Sequence, residues 1–345
     1  MNTRCVAIHL PCDDRQMFHG KPLMLQNVMF CPALTWCVRT WAAQGVQRFF
    51  VVCEDRWTEP VTACFPKDAA PEIVSHQQWA GRLSALREQG AEVEEYREPV
   101  LPLGKLMMTF HNVEELSRLQ AACHDAANAY HQKRGVHIVD PASTFIDPRV
   151  DIGPDTLILP NTILRGATVI GRDCEIGPNT MLDSCTVGDN VIVNSAQAQD
   201  SVIEDGCEIG PYTHIRPHCH VGKGSKIGAF VQLKNCNLGE GTKMAHLTYV
   251  GDADVGVHCN FGCGTVTSNY DGFKKHRTTI GDNVFIGCNT NLVPPVKVED
   301  GAYIAAGTTV TRDVPADSLA VGRVRQENKE GWARRNRELK ERHRR

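Results

Sequence analysis

Cysteine and histidine are the residues of this chain best able to do metal or nucleophilic chemistry, and there are fifteen and 14 of them in 345 positions. The cysteines are odd in number, scattered and free of any CxxC pair. Cys259 and Cys263 come nearest to ligand spacing, and they would need two further partners to close a tetrahedral zinc site. His214, His218 and His220 also look like ligands, but the register described below sets them at or near corners of a coil, as exposed non-ligands. No metal site is assigned, and reduced, mostly buried thiols are expected. A metal-dependent hydratase stays as an alternative. A second concentration of chemistry lies at residues 267–279 (TSNYDGFKKHRTT), where two lysines, a histidine and an arginine follow one another.

The elements that would have to position these groups show in the spacing of aliphatic residues. From Ile146 one recurs every six positions through Ile152, Ile158, Leu164, Ile170, Ile176 and Leu182. A second run follows as Ile203, Ile209, Ile215, Val221, Ile227 and Leu233, and a third as Ile280, Ile286, Leu292, Val298, Ile304 and Val310. Helical stripes recur at 3.6 residues and strands at 2, so a sustained period of six belongs to a coil. Many of these aliphatics precede glycine, as in Ile152-Gly153, Ile170-Gly171 and Ile286-Gly287, which suits a corner where the backbone is crowded or has φ > 0. The pattern predicts a mainly β chain, a left-handed parallel β-helix of hexapeptide repeats with three hexads to a turn. Between the second and third runs the spacing slips at Leu238, Met244 and Val250, and residues 267–279 hold no inward aliphatic at that period. A loop ejected from a rigid coil is where a binding site is expected.

The first third reads differently. Cys5–Leu10 and Val46–Cys53 are strand candidates, and Leu34, Cys37, Val38 and Trp41 mark a helix that Gly45 ends. With a long helix over 113–134, this predicts a small α/β unit before the coil. The expected division is 1–112 for that unit, 113–134 for a linker helix, 135–324 for the β-helix and 325–345 for a basic tail. A formal net charge of -3 with 22% charged residues gives no bias towards nucleic acid or membrane. The opening MNTRCVAIHLPCDDRQ carries charge through what would be the apolar core of a secretory signal, so a cytoplasmic location is expected.

Several stretches are more specific than the period. GVHIVDPASTFID, IGPYTHIRPH, AHLTYVGDADVG, GCGTVTSNYDG, AAGTTVTRDVP and GRVRQENKEGW together resemble the acetyltransferase half of the bacterial family of bifunctional N-acetylglucosamine-1-phosphate uridyltransferase/glucosamine-1-phosphate N-acetyltransferases. The resemblance implies acetyl-CoA-dependent N-acetylation of glucosamine 1-phosphate, towards UDP-N-acetylglucosamine and peptidoglycan precursors. It implies His246 as general base, a task suited to imidazole near neutral pH. It implies Arg216, Lys234, Tyr249, Asn260 and Lys275 as sugar-phosphate contacts, where cationic donors suit a phosphomonoester. It also implies Cys263, Asn269, Tyr270, Cys288, Ala306 and Arg323 against acetyl-CoA, and a homotrimer with the cofactor between neighbouring coils.

The sequence departs from the family in four places. Cys263 and Cys288 stand where smaller or hydroxylated residues are usual, and Gln232 replaces a common acidic residue. The family's glycine-rich phosphate loop is replaced by HLPCDDRQM from His9, which has no glycine and carries Asp13 and Asp14. Uridyl transfer is therefore expected to be lost, leaving no clear role for magnesium, although Gly20-Lys21-Pro22 and VQRFFVVC look like remnants of that domain. The tail from Arg325 carries nine basic and four acidic residues and reads as a solvated helix. Two other functions stay open: an acyltransferase with another amine acceptor, which would make Arg216 and Lys234 dispensable, and a non-catalytic β-helix scaffold.

Overall fold

The computed structural model describes residues 3–12, 16–67, 69–103 and 106–342. From His137 to Ala320 the chain forms a continuous ladder of 26 mostly two-residue strands. Each strand pairs in parallel with one a full turn later, as Asp151–Ile152 does with Val169–Ile170 and Leu157–Ile158 with Glu175–Ile176. Three hexads therefore make one rung of a triangular prism, the left-handed parallel β-helix that the period predicts.

Each hexad buries two side chains. The hexad aliphatic points into the axis, and Ile146, Ile158, Leu164, Ile176 and Leu182 are all fully buried. Each such burial contributes about 1.5–3 kcal/mol. The residue two positions earlier is also buried, and it is small: Thr144, Thr156, Thr162, Cys174, Thr180, Cys207, Ser225, Thr242 and Cys259. Its hydroxyl or thiol donates to a backbone carbonyl, on the next rung for Thr156 Oγ1 to Gly171 O at 2.9 Å and Thr242 Oγ1 to Gly256 O at 3.0 Å, and a few residues back for Thr144 to Asp140 O and Thr162 to Leu159 O. Cysteine makes the same bond, from Cys207 Sγ to Gly222 O at 3.2 Å and Cys259 Sγ to Gly281 O at 3.0 Å. Six of the fifteen cysteines, Cys174, Cys185, Cys207, Cys219, Cys236 and Cys259, are thus a structural exchange of thiol for hydroxyl, and twelve of the fifteen thiols are buried.

The corners separate two roles that sequence leaves joined. Gly153 is there for close approach, since a Cβ would lie 2.7 Å from the backbone of Gly171 on the next rung. The left-handed conformation is taken two residues later, by Asp155, Asp173, Asn179 and Asn190, whose short polar side chains tolerate it.

Two irregularities differ from the sequence reading. The interval between Leu182 and Ile203 is not a break: Val187, Val193 and Ala198 continue the core at five- and six-residue steps. Shortened corners at Ser184, Ser195 and Asp200, all left-handed, absorb the missing residues. Leu238, Met244 and Val250 likewise point inward and are buried, in two 13-residue strands, Lys226–Leu238 and Lys243–Val255. The real excursion follows Thr267, and the strand Thr278–Ile280 resumes the ladder against Ala253–Val255.

The first third contains a four-stranded parallel sheet in the order Glu72–Val74, Arg48–Val52, Arg4–His9, Glu92–Tyr96. Helix Ala33–Ala43 packs beside it through Leu34, Cys37, Val38 and Trp41, and Gly45 follows its end with φ 88°. Asp13 and Asp14 lie outside the described residues. Helix Val113–Lys133 is capped by Asn112, whose Oδ1 accepts from the Glu115 amide at 2.9 Å. It meets the first rungs where Asn128 Nδ2 donates to the carbonyls of Pro141 and Thr144, and from helix Ala33–Ala43 Arg39 donates to Pro148 O at 2.6 Å. Among the described residues no helix is long and apolar enough to cross a membrane.

Candidate active site

In the middle rungs the prism has three faces. The first carries the inward residues Ile227, Met244, Phe261, Ile286 and Ile304, the second Leu233, Val250, Thr267, Leu292 and Val310, and the third Leu238, Val255, Ile280 and Val298. Residues two positions beyond an inward residue of the first face sit on the edge towards the second. Pairing of Ala229 with His246, Met244 with Phe261, Phe261 with Ile286 and Ile286 with Ile304 puts His246, Cys263, Cys288 and Ala306 on successive rungs of that single edge. Three rung steps of about 4.8 Å span roughly 14 Å. Arg323 reaches the lower end, its Cδ 3.7 Å from where a Cβ on Gly307 would lie. The imidazole of His246 is exposed and has no side-chain partner among the described residues, while its carbonyl accepts from Thr248 Oγ1 at 2.8 Å.

The edge between the second and third faces is electrically different. His214 pairs with Gln232, which sets Arg216 level with Lys234, and Lys234 pairs in turn with Gly251. The ejected loop brings Lys275 onto the same spot. Contact with the Lys275 ammonium, then partial desolvation and the Arg216 guanidinium, lower the Lys234 amine from its ordinary value. Asp252 beneath them is 7% exposed and accepts from Asn235 Nδ2 at 2.6 Å and from Asn269 Nδ2. Burial pushes its carboxyl up, but those two donors, with Lys234 and Lys275, outweigh this and hold it below the ordinary value. Tyr249 leans over the same place, since a Cβ on Gly251 would fall 2.3 Å from its hydroxyl and 2.9 Å from Asn269 Nδ2.

The loop that delivers Lys275 is tightly built. Asp271 Oδ1 accepts from the amides of Phe273 and Lys274, both at 2.8 Å, and Oδ2 lies 2.6 Å from His276 Nε2. Tyr270 donates its hydroxyl to Gly272 O at 2.7 Å. Arg277 ties the returning strand to Asp254 and to the carbonyl of Asn235.

One chain therefore gathers Arg216, Lys234, Tyr249, Asn269 and Lys275 at one edge, and His246, Cys263, Cys288, Ala306 and Arg323 along another. Tyr270 is exposed at the base of the loop, and Asn260 points outward from the first face, away from the cationic cluster. Sequence reading missed Asn235, Asp252, Asp254 and Arg277. The available signal was the hexad position of Asp252, two residues beyond the inward Val250, as His246 is beyond Met244.

The three clustered histidines do not converge. His214 and His220 lie within strands rather than at corners and are partly buried, the former beside Gln232 and the latter 2.9 Å from Glu204; only His218 occupies a corner. Burial, then Arg216, lowers the His214 pKa.

A family model described as bacterial transferase hexapeptide (six repeats) matches residues 149–183, 200–235 and 277–312. The chain is 42% identical over 253 residues to the bifunctional protein GlmU of Alkaliphilus metalliredigens, covering 73% of this chain and 55% of that protein. It is 51% identical over 218 residues to the bifunctional protein GlmU of Caldanaerobacter subterraneus subsp. tengcongensis, covering 63% and 48%. Among solved structures, an Arabidopsis UDP-N-acetylglucosamine acyltransferase aligns at 17% identity and TM-score 0.35 over 59% of this chain and 72% of that one. The chain spans about half the length of the curated relatives it matches. Over the matched portion, the chain is similar to the bifunctional GlmU proteins.

Proposed function

We propose that the protein transfers the acetyl group of acetyl-CoA to the amine of glucosamine 1-phosphate. The observation that carries this reading is the meeting of Arg216, Lys234 and Lys275 beside Tyr249, three residues along the strand from His246. Three cations held together, with one buried carboxylate already occupied by amides, form a receptor for a doubly charged phosphomonoester. The edge from His246 to Arg323 is lined by small side chains along an extended path, which suits a pantetheine arm ending at a phosphate-binding arginine.

In this reaction the amine nitrogen attacks the thioester carbonyl, His246 takes the proton it sheds, and the C–S bond breaks. The departing CoA thiolate then takes a proton from the imidazolium. His246 is exposed in the single chain, and a second coil packed on the second face would shield it. A homotrimer with its cofactor sites between coils is part of the proposal, as are a cytoplasmic location and loss of uridyl transfer. Three times 38.1 kDa is the mass expected by light scattering.

The test is thiol release from acetyl-CoA with glucosamine 1-phosphate or plain glucosamine as acceptor, followed by UTP and magnesium. Release that depends on the phosphate, with no UDP-sugar afterwards, supports the proposal. Equal release with both sugars would point to another amine acceptor, and none with either would point to a scaffold.

A further inference from the structure

Three thiols are not buried: Cys12 in the first third, half-buried Cys263 and exposed Cys288. The last two are not part of the structural exchange of thiol for hydroxyl, because they lie two positions beyond the inward residue rather than two before it. They are neighbours on one edge. Phe261 pairs with Ile286, so Cys263 and Cys288 are level on adjacent rungs, and the amide of Asn289 donates to the carbonyl of Cys263 at 2.8 Å. Adjacent strands run about 4.8 Å apart, inside the window of about 4.4–6.8 Å between Cα atoms that a disulfide needs. The buried pair Cys219 and Cys236 has the same rung relation, with sulfurs 3.8 Å apart, but the core closes it to any small reagent.

We infer that Cys263 and Cys288 form a thiol–disulfide exchange site for coenzyme A disulfide, whose closure blocks the edge along which acetyl-CoA would lie. The choice of ligand rests on the acetyltransferase reading, whereas formation of the internal link does not. Cys288, the more exposed, attacks one sulfur of the small disulfide as thiolate; the S–S bond breaks, one coenzyme A thiol departs, and a mixed disulfide remains. Cys263 then attacks the Cys288 sulfur, the internal disulfide forms and the second coenzyme A thiol departs. Two electrons pass from the protein dithiol to the small disulfide, and the two protein protons end on the two released thiols. Ala306, on the next rung, has no sulfur to compete.

The experiment incubates full-length protein with coenzyme A disulfide or with oxidised glutathione, and reads peptide mass and acetyl transfer. The expected result is a Cys263–Cys288 link that forms faster with coenzyme A disulfide. Transfer should fall at least about tenfold and return with dithiothreitol, each rate being compared with that of the same protein reduced. Cys263→Ala should stop at coenzyme A bound to Cys288. Mixed disulfides with no internal link would overturn the dithiol, and equal rates with the two reagents would overturn the choice of ligand. An internal link with undiminished transfer would overturn the block. A link in a protein that never acetylates the sugar would sink the acetyltransferase reading alone.

Discussion

The two edges flanking the second face are built on the same hexads and present opposite surfaces. The edge from His246 to Ala306 holds one imidazole and three small side chains, while the edge at Lys234 collects three cations over a buried carboxylate. The difference shows how a monotonous scaffold acquires chemistry: the rungs supply fixed spacing, and the identity of the one or two residues beyond each inward one, with a side chain returned by the loop, supplies function. On the proposed reading one edge carries the acyl donor and the other anchors the acceptor.

The sharpest way to break this division is His246→Ala. Loss of a positioned general base should lower acetyl transfer about 10²–10⁴-fold, with circular dichroism unchanged because the side chain is exposed. An undiminished rate would remove His246 from its role. On the opposite edge, Arg216→Met should cost up to about 10²-fold in kcat/KM for glucosamine 1-phosphate, the range for a charge-assisted hydrogen bond, and little for plain glucosamine. If both acceptors suffer equally, the cluster does not read phosphate.

The seat of the coil gives a third test. His131 is 2% exposed, its Nδ1 has no partner among the described residues, and burial brings its pKa to about 4, opposed by Asp151 and aided by Arg134 and Arg39. Neutral His131 is compatible with the fold, so its contribution is intact above the unfolded pKa of about 6.5 and is lost progressively as pH falls towards 4. Stability should drop by about 2 kcal/mol between pH 7.5 and 5 from this group. Denaturant melts of His131→Gln should show a flatter slope over that window. The smallest effect is expected inside the prism, where Cys207→Thr should change stability by less than about 1 kcal/mol, since the hydroxyl can inherit the bond to Gly222 O. A loss of several kcal/mol would refute the equivalence of thiol and hydroxyl there.

Much of the coil was legible because six-residue spacing is a local property, repeated until chance is excluded. Val187, Val193 and Ala198 escaped because a corner can shed a residue without disturbing the pairing, and a strict period hides such a change. The N-terminal strands could be read from short apolar runs, with ends within a residue or two of Arg4–His9 and Arg48–Val52. The residues around the cationic cluster were harder. Asp252 and Asn235 meet across a rung and Arg277 folds back from the loop, contacts that depend on which residues the coil stacks and not on any motif. Asn260 faces elsewhere because its place on the first face follows from the same stacking.

Stacking also gives the prism a reading frame. Removing a whole rung of three hexads anywhere above His246 would shorten the rod and leave every later side chain on its own edge. Removing a single hexad between Phe261 and Ile286 would turn everything downstream by a third of a revolution, carrying Cys288 and Ala306 away from the His246 edge with the core still filled. The 25-residue step from Phe261 to Ile286 keeps the frame because its extra residues leave the ladder and return to the edge they left. Loop length at that edge can therefore vary freely, while hexad number cannot.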